Sequence, residues 1–345
     1  MYAKQINSYL EEKGSHITHL FYYPPGIATS NRISLPYWKS IAKGFISFQS
    51  VATFWTMCKK NDVLCIHYPN LEALPLLVCA ALQRKKIVTI FHCVPTINNL
   101  LLACIVTPLL TFSLVAHFIL SSSIITQEDY YLSFWWRFLF KKKCVFTNPP
   151  IQPYLQKKSV EKIQNSIAFV GRIAAEKGVE YLVNAVKNEV SLQLYLIGPS
   201  QVQGEDSYRS KIMNLLKNTK CAVHIISDPS HEKLSSLLAQ MKIVVVPSIN
   251  KTESFGMIQP EAMVRGTPVI ATDLPGIRVP IMKTGMGILV PPKNADAIAE
   301  AIVLITNNYE KYINRENVQA AQTAFSHTKV LKIVYNTIIS STNEN

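Results

Sequence analysis

The sequence predicts an α/β protein of two Rossmann-like domains, each a parallel sheet with helices on both faces. Three observations carry this. The chain has 345 residues, and domains run to about 100–200 residues, so two fit the length. Both halves alternate short apolar runs with amphipathic stretches of helical period, the pattern of strands joined by crossover helices. Between the halves, Asn148-Pro149-Pro150-Ile151-Gln152-Pro153 is a proline-rich stop followed by a charged stretch to Glu161-Lys162, and prolines so placed end regular structure. The expected division is 1–160, 161–325, and a closing segment 326–345.

In the first half the expected strands are His16–Tyr22, Val63–His67, Ile87–His92, Phe118–Leu120 and Cys144–Phe146. In the second they are Ile167–Gly171, Leu192–Gly198, Ala222–Ile226, Ile243–Val246, Pro268–Ala271 and Gly287–Val290. The helix after Lys177-Gly178 places Val179, Leu182, Val183 and Val186 on one face, the i, i+3, i+4, i+7 spacing of a helix packed on a sheet. Further helices are expected over Glu232–Met241, after Phe255-Gly256, and over Ala295–Asn307.

Hydrophobic residues make up 48% of the chain and charged residues 17%, which excludes a disordered or low-complexity protein. None of the seven cysteines forms a CxxC pair. Most sit in apolar runs, as small buried hydrophobes of a reducing compartment do. The N-terminus Met1-Tyr2-Ala3-Lys4-Gln5 opens no signal-peptide apolar region, so a cytoplasmic location is expected.

The net charge of +13 is uneven: residues 1–165 hold 17 Lys and Arg against 7 Asp and Glu, the remainder 18 against 15. The blocks Arg84-Lys85-Lys86 and Lys141-Lys142-Lys143 lie in the first half. Two readings stand open, a solvated basic face and a surface that meets an anionic membrane leaflet or phosphorylated acceptor. No nucleic-acid motif accompanies the charge, so nucleic acid is not an expected partner. Residues 100–120 carry no Lys, Arg, Asp or Glu. By length they are a candidate span, but Pro108 interrupts them, and the segment reads as a helix followed by a strand. Buried, interfacial and spanning placements all remain open.

Ligands of open parallel sheets bind beyond the carboxyl ends of the strands, and the polar clusters of the second half fall there. Gly171-Arg172 follows a strand and Lys177-Gly178 opens a helix. A guanidinium grips phosphate oxygens through paired hydrogen bonds, and an ammonium acts as a compact charge beside them. Their bland alternative is a surface ion pair with Glu176. Glu253, in a loop, and Glu261, on the following helix, have seven residues between them. A carboxylate accepts hydrogen bonds from sugar or ribose hydroxyls, and Phe255-Gly256 offers backbone N–H groups to an anion. Lone glutamates at this spacing are also common on solvated helices.

In combination these stretches resemble one family. Phe169-Val-Gly-Arg-Ile-Ala-Ala-Glu-Lys-Gly178 is similar to the "GR…EKG" loop of the family 4 retaining glycosyltransferases (glycosyl transferases group 1, GT-B fold). Glu253-Ser-Phe-Gly-Met-Ile-Gln-Pro-Glu-Ala-Met263 resembles that family's Glu-x7-Glu element. Gly266–Ile277, Gly287–Pro292 and the closing Phe325–Tyr335 continue the likeness in order, and residues 16–150 share it more loosely.

The resemblance implies two Rossmann-like domains facing across a donor-binding cleft, with the closing helix crossing back to the first domain. It implies that Arg172 and Lys177 hold the donor diphosphate. Glu253 would contact hydroxyls of the transferred sugar, helped by the backbone around Ser254, Phe255 and Gly256; Gly171 and Met257 would also line the donor site, and Glu261 would bind the ribose. His92 would lie near the reacting sugar carbon, although a lone histidine is more often a satisfied core residue.

The implied reaction is transfer with retention, by a front-face route, from a nucleotide-sugar donor to a saccharide or lipid-linked acceptor. Surface polysaccharide or glycolipid synthesis, with peripheral contact at the inner face of the cell membrane, is the expected setting. No Asp-x-Asp cluster is placed for a metal, so no metal and no cofactor beyond the donor are expected. The first loop carries only Gly26 where the family often has a Gly-Gly pair, and Val279-Pro280 stands where it usually places a Glu. The rival readings are a nucleotide-sugar 2-epimerase of the same architecture and a non-catalytic sugar- or membrane-binding scaffold.

Overall fold

A computed structural model describes residues 2–21, 32–34, 39–41, 44–46, 48–92, 100–127, 140–152, 160–201, 204–250, 253 and 255–340. The chain divides into two compact units, one of residues 1–150 and 328–345, the other of residues 151–327.

The N-terminal unit is built on a parallel four-stranded sheet, β5 (Val63–Tyr68), β6 (Lys86–Phe91), β7 (Ser123–Thr126) and β8 (Cys144–Phe146), in that spatial order. Before it come a parallel pair, β1 (His19–Phe21) with β2 (Arg32–Ser34), and an antiparallel pair, β3 (Lys39–Ile41) with β4 (Gly44–Ile46). Three helices pack together: α2 (Phe48–Lys60), α3 (Leu74–Leu82) and α4 (Leu100–Leu120). Alternate strand residues point to opposite faces. Ile66 and Ile87 pack with Phe54, Leu76 and Leu77 of the α2–α3 side. Val88, Ile90 and Ile125 pack with α1 (Tyr2–Glu12) and with Val330, Leu331 and Val334 of the closing helix.

The strand expected at Phe118–Leu120 is instead the last turn of α4, which runs unbroken through Pro108. A short apolar run reads equally as buried strand or buried helix, and packing decides. Ser113, Leu114, His117 and Phe118 share the buried side, four residues apart as a helix requires. His117 Nδ1 lies 3.1 Å from Thr89 Oγ1, and that hydroxyl lies 2.7 Å from Ser121 Oγ. The third sheet strand comes after this polar knot, at Ser123. Among the described residues no helix is long and apolar enough to cross a membrane. Of the expected first strand, Tyr22 lies outside the described residues, as does the Gly26 loop.

The C-terminal unit holds a six-stranded parallel sheet in the order β11-β10-β9-β12-β13-β14. These are Ala222–Ser227, Gln193–Gly198, Ser166–Val170, Ile243–Val246, Val269–Thr272 and Gly287–Val290 respectively. Numbered within the unit this is 3-2-1-4-5-6, the doubly wound order whose winding reverses between its first and fourth strands.

One face takes Ile167, Phe169, Val245 and Ile270 against α5 (Val179–Val186), α6 (Asp206–Lys217) and α10 (Ala295–Asn307). The other takes Ala168, Val244, Val246 and Ala271 against α7 (His231–Gln240), α8 (Ile258–Met263) and α9 (Arg278–Thr284). The four apolar residues of α5 are all buried, on the spacing read from sequence. Side-chain caps start two of these helices: Ser230 Oγ accepts from the Lys233 N–H, and Asn294 Oδ1 from the Ala297 N–H. Each satisfies a backbone donor that the first turn leaves open. The closing helix α13 (His327–Ser340) follows α11 (Tyr309–Ile313) and α12 (Arg315–Ala324).

Candidate functional site

The reversal of winding opens a crevice at the carboxyl ends of β9 and β12, because the crossovers on its two sides lead away in opposite directions. β9 and β12 are direct neighbours, with Ile167 opposite Ile243 and Ala168 opposite Val244. The loops that leave them are therefore forced together. A pocket of about 300 Å³ lies there, lined among others by Phe169, Lys177, Val246, Ser248, Glu253 and Met257.

Two loop features set its walls. Gly178 ends the turn of Ala175–Lys177 with φ of +63°, and a Cβ there would run into the Pro247 carbonyl oxygen. Only glycine meets both demands. The Ile249 N–H donates to the Glu176 carbonyl at 2.9 Å and ties the two loops. On the other side, buried Gln259 donates through Nε2 to the carbonyls of Phe255 (3.2 Å) and Ile277 (2.9 Å), clamping the chain ahead of α8. Gly256, at φ of +61°, sits against that amide.

Lys177 Nζ lies 2.6 Å from Glu253 Oε1, with the two side chains 24% and 15% exposed. This ion pair is set at the pocket wall. A partly desolvated ammonium and carboxylate interact more strongly than a surface pair, since solvent screens them less. Arg172 is placed differently. Its Nη2 pairs with Glu176 Oε1 at 2.7 Å on the same loop, and the Arg172 side chain is 53% exposed. The surface pairing with Glu176 thus belongs to Arg172 and not to Lys177.

The pocket lining joins Lys177, Glu253, Gly256 and Met257 and leaves out Arg172, Gly171, Phe255 and Glu261. Phe255 is a core residue, edge-on to Phe325 at 5.9 Å, so only its backbone is available to a ligand. Glu261 is half-buried on α8. Burial pushes its carboxyl up, against the pull of Arg265 and His231. Ser254 lies outside the described residues.

Ser248 was not among the residues singled out from sequence. Its side chain is fully buried, it lines the pocket, and its Oγ has no hydrogen-bond partner. A buried hydroxyl without a partner costs free energy, and Ser248 lines the same pocket as the Lys177–Glu253 pair. The available signal was a small hydroxyl residue directly beyond the carboxyl end of a buried strand.

His92 belongs to the N-terminal unit, at the carboxyl end of β6. Its Nε2 lies 2.8 Å from His67 Nδ1, and the two rings stack at 5.1 Å. Burial pushes both imidazoles down, His67 to about 4 with a further contribution from His92. Both are neutral at pH 7, and one ring donates its single N–H to the other. His67 was read from sequence only as part of a strand.

Residues 152–321 match the model of the family described as glycosyl transferases group 1. A D-inositol 3-phosphate glycosyltransferase of Mycobacteroides abscessus is 32% identical over 143 residues, 40% of this chain and 32% of that protein. The match therefore spans about a third of that relative's length. Among solved structures, a sucrose-phosphate synthase from Thermosynechococcus elongatus superimposes with a TM-score of 0.69 at 20% identity, over 99% of this chain and 93% of its own. An Anabaena protein in complex with UDP gives 0.67 at 17% identity, over 84% and 82%. The chain has the GT-B fold, two Rossmann-like α/β domains, and over residues 152–321 it is similar to the group 1 glycosyl transferases.

Proposed function

We propose, taking the group 1 glycosyl transferase match of residues 152–321 as premise, that this chain is a retaining glycosyltransferase. It would move a sugar from a nucleotide-diphosphate sugar to a saccharide or lipid-linked acceptor. The observation that carries the reading is the Lys177–Glu253 pair, held at 2.6 Å on the pocket at the β9–β12 switch point.

That pair suits the chemistry. A diphosphate entering the pocket competes with Glu253 for the Lys177 ammonium, and Arg172, on the same loop, exchanges its exposed contact with Glu176 for a phosphate oxygen. Glu253 is then available to accept hydrogen bonds from the sugar hydroxyls. As the bond between the anomeric carbon and the leaving oxygen breaks, its electron pair goes to the diphosphate, whose growing charge the two cations stabilise. The acceptor oxygen forms its bond on the face the diphosphate leaves, and its proton passes to a diphosphate oxygen. Glu261 serves the ribose, and Ser248 Oγ donates to the bound donor. His92, kept neutral beside His67, acts as a hydrogen-bonding group and not as a cation. The relative named for an inositol phosphate acceptor and the neighbour holding UDP support a polar acceptor and a UDP-sugar as the first choices to try.

The test is calorimetric titration with UDP-, GDP-, ADP- and dTDP-sugars, on the wild type and on the Arg172→Ala, Lys177→Ala double variant. Binding of one nucleotide class, weakened at least tenfold in the variant, is expected. Binding indifferent to both substitutions, or none at all, would remove these residues from a donor site and favour a non-catalytic scaffold. Interconversion of UDP-sugar epimers without an acceptor would instead favour the 2-epimerase.

A further inference from the structure

The basic runs of the N-terminal unit converge in space. Lys59-Lys60 close α2 just ahead of β5, Arg84-Lys85-Lys86 lead into β6, and Lys141-Lys142-Lys143 lead into β8. The four strands are parallel, so all three runs lie along one edge of the sheet, the amino edge. His92 and the carboxyl ends of the strands lie at the other. Among the described residues directly ahead of β5, β6, β7 and β8 at this edge, Asp62 is the one carboxylate.

The adjoining helix layer is apolar on its outer side. Every exposed large hydrophobic residue described in this unit lies on α2, α3 or α4, among them Leu82 (70% exposed), Leu109, Phe112 (63%) and Ile119 (56%). Helix α4 carries no Lys, Arg, Asp or Glu along its length, and its one histidine, His117, is buried. The cations and the hydrocarbon meet at two places. Leu82 ends α3 two residues before Arg84, and Lys143 Nζ donates to the Ile119 carbonyl at 2.8 Å.

We propose that this surface docks the protein on an anionic lipid bilayer. The outer side of α3 and α4 would enter the headgroup–acyl boundary, and the amino-edge cations would lie on the lipid phosphates. The two features are complementary to the two layers of a bilayer leaflet, hydrocarbon beneath and negative charge above. A water-soluble polyanion would use the cations but leave Leu82, Leu109, Phe112 and Ile119 in water. A second copy of the chain, joined through the same patch on both partners, would set one basic rim against another. The proposal rests on this surface alone and stands apart from the donor-site reading.

Sedimentation with vesicles of phosphatidylcholine alone, and of phosphatidylcholine with phosphatidylglycerol, tests it on the full chain. The wild type is expected to bind only the phosphatidylglycerol vesicles, and less as salt rises. Arg84→Gln, Lys141→Gln and Lys142→Gln should each weaken binding by about fivefold. Leu82→Ser with Phe112→Ser should abolish it, with an unchanged circular dichroism spectrum and unchanged nucleotide titration, since both side chains are exposed. Three outcomes overturn the proposal: no vesicle binding by the wild type, binding indifferent to the serine substitutions, or a dimer that those substitutions dissociate in the absence of lipid.

Discussion

Lys177 and Glu253, 76 positions apart, meet at 2.6 Å because β9 and β12 are neighbours at the point where the sheet reverses its winding. Lys177→Ala should lower kcat/KM for the nucleotide sugar by about 100- to 1,000-fold, the scale of losing one preorganised charge-stabilising donor. Lys177→Arg should restore only part of this, since a planar fork does not replace a compact charge. Steady-state kinetics over the donor concentration series would check it. Activity within threefold of wild type in the alanine variant would take Lys177 out of the reaction.

Gly178→Ala tests the turn that sets the Lys177 loop. The residue sits at φ of +63°, and a methyl group there meets the Pro247 carbonyl oxygen. Strain of this kind costs on the order of 1–3 kcal/mol, so thermal unfolding of the C-terminal unit should fall by several degrees. A melt unchanged within a degree would mean that the loop relaxes freely.

Ser248→Ala separates stability from binding. Removing a buried hydroxyl that has no partner should leave the melting temperature unchanged or slightly raised, while donor affinity falls. Equal affinity for the donor in both proteins would show that Oγ serves no ligand.

Acid should weaken the N-terminal unit through its buried histidines. Burial holds His117 at about 4 in the folded chain, against about 6.5 unfolded. Above pH 6.5 neither state is protonated, and the group contributes nothing. As the pH falls from 6.5 towards 4 only the unfolded state takes the proton, so stability declines by up to about 1.4 kcal/mol per pH unit. Below 4 the folded state binds it too, and the loss levels off. His67, also at about 4, acts in the same direction. Urea unfolding of wild type and His117→Gln between pH 7 and 4 should show the shallower slope in the variant; parallel slopes would contradict it.

Much of the architecture was legible because burial writes a period into sequence. Val179, Leu182, Val183 and Val186 mark α5 by spacing alone, and the apolar run Ile243–Val246 marks β12 with the observed bounds. Phe118–Leu120 was not legible. Apolar residues on a buried helix and on a buried strand look alike over three positions, and the hydrogen bonding of His117 and Ser121 with Thr89 on β6 is a tertiary fact. The three-residue strands β2, β3 and β4 are too short to show any period.

By itself the sequence determined which residue types stand beyond the strand ends: Arg172, Lys177, Glu253 and Glu261, each local to a strand–loop–helix signal. Only the tertiary structure decided their partners. Chain proximity offered Glu176 to both cations. The strand order brought Glu253 to Lys177 and left Arg172 with Glu176, buried the side chain of Phe255, and set Ser248 among the residues that line the pocket. The physical reason is that propensity and period act over a few residues, whereas the pairing of β9 with β12 joins segments that the chain holds far apart.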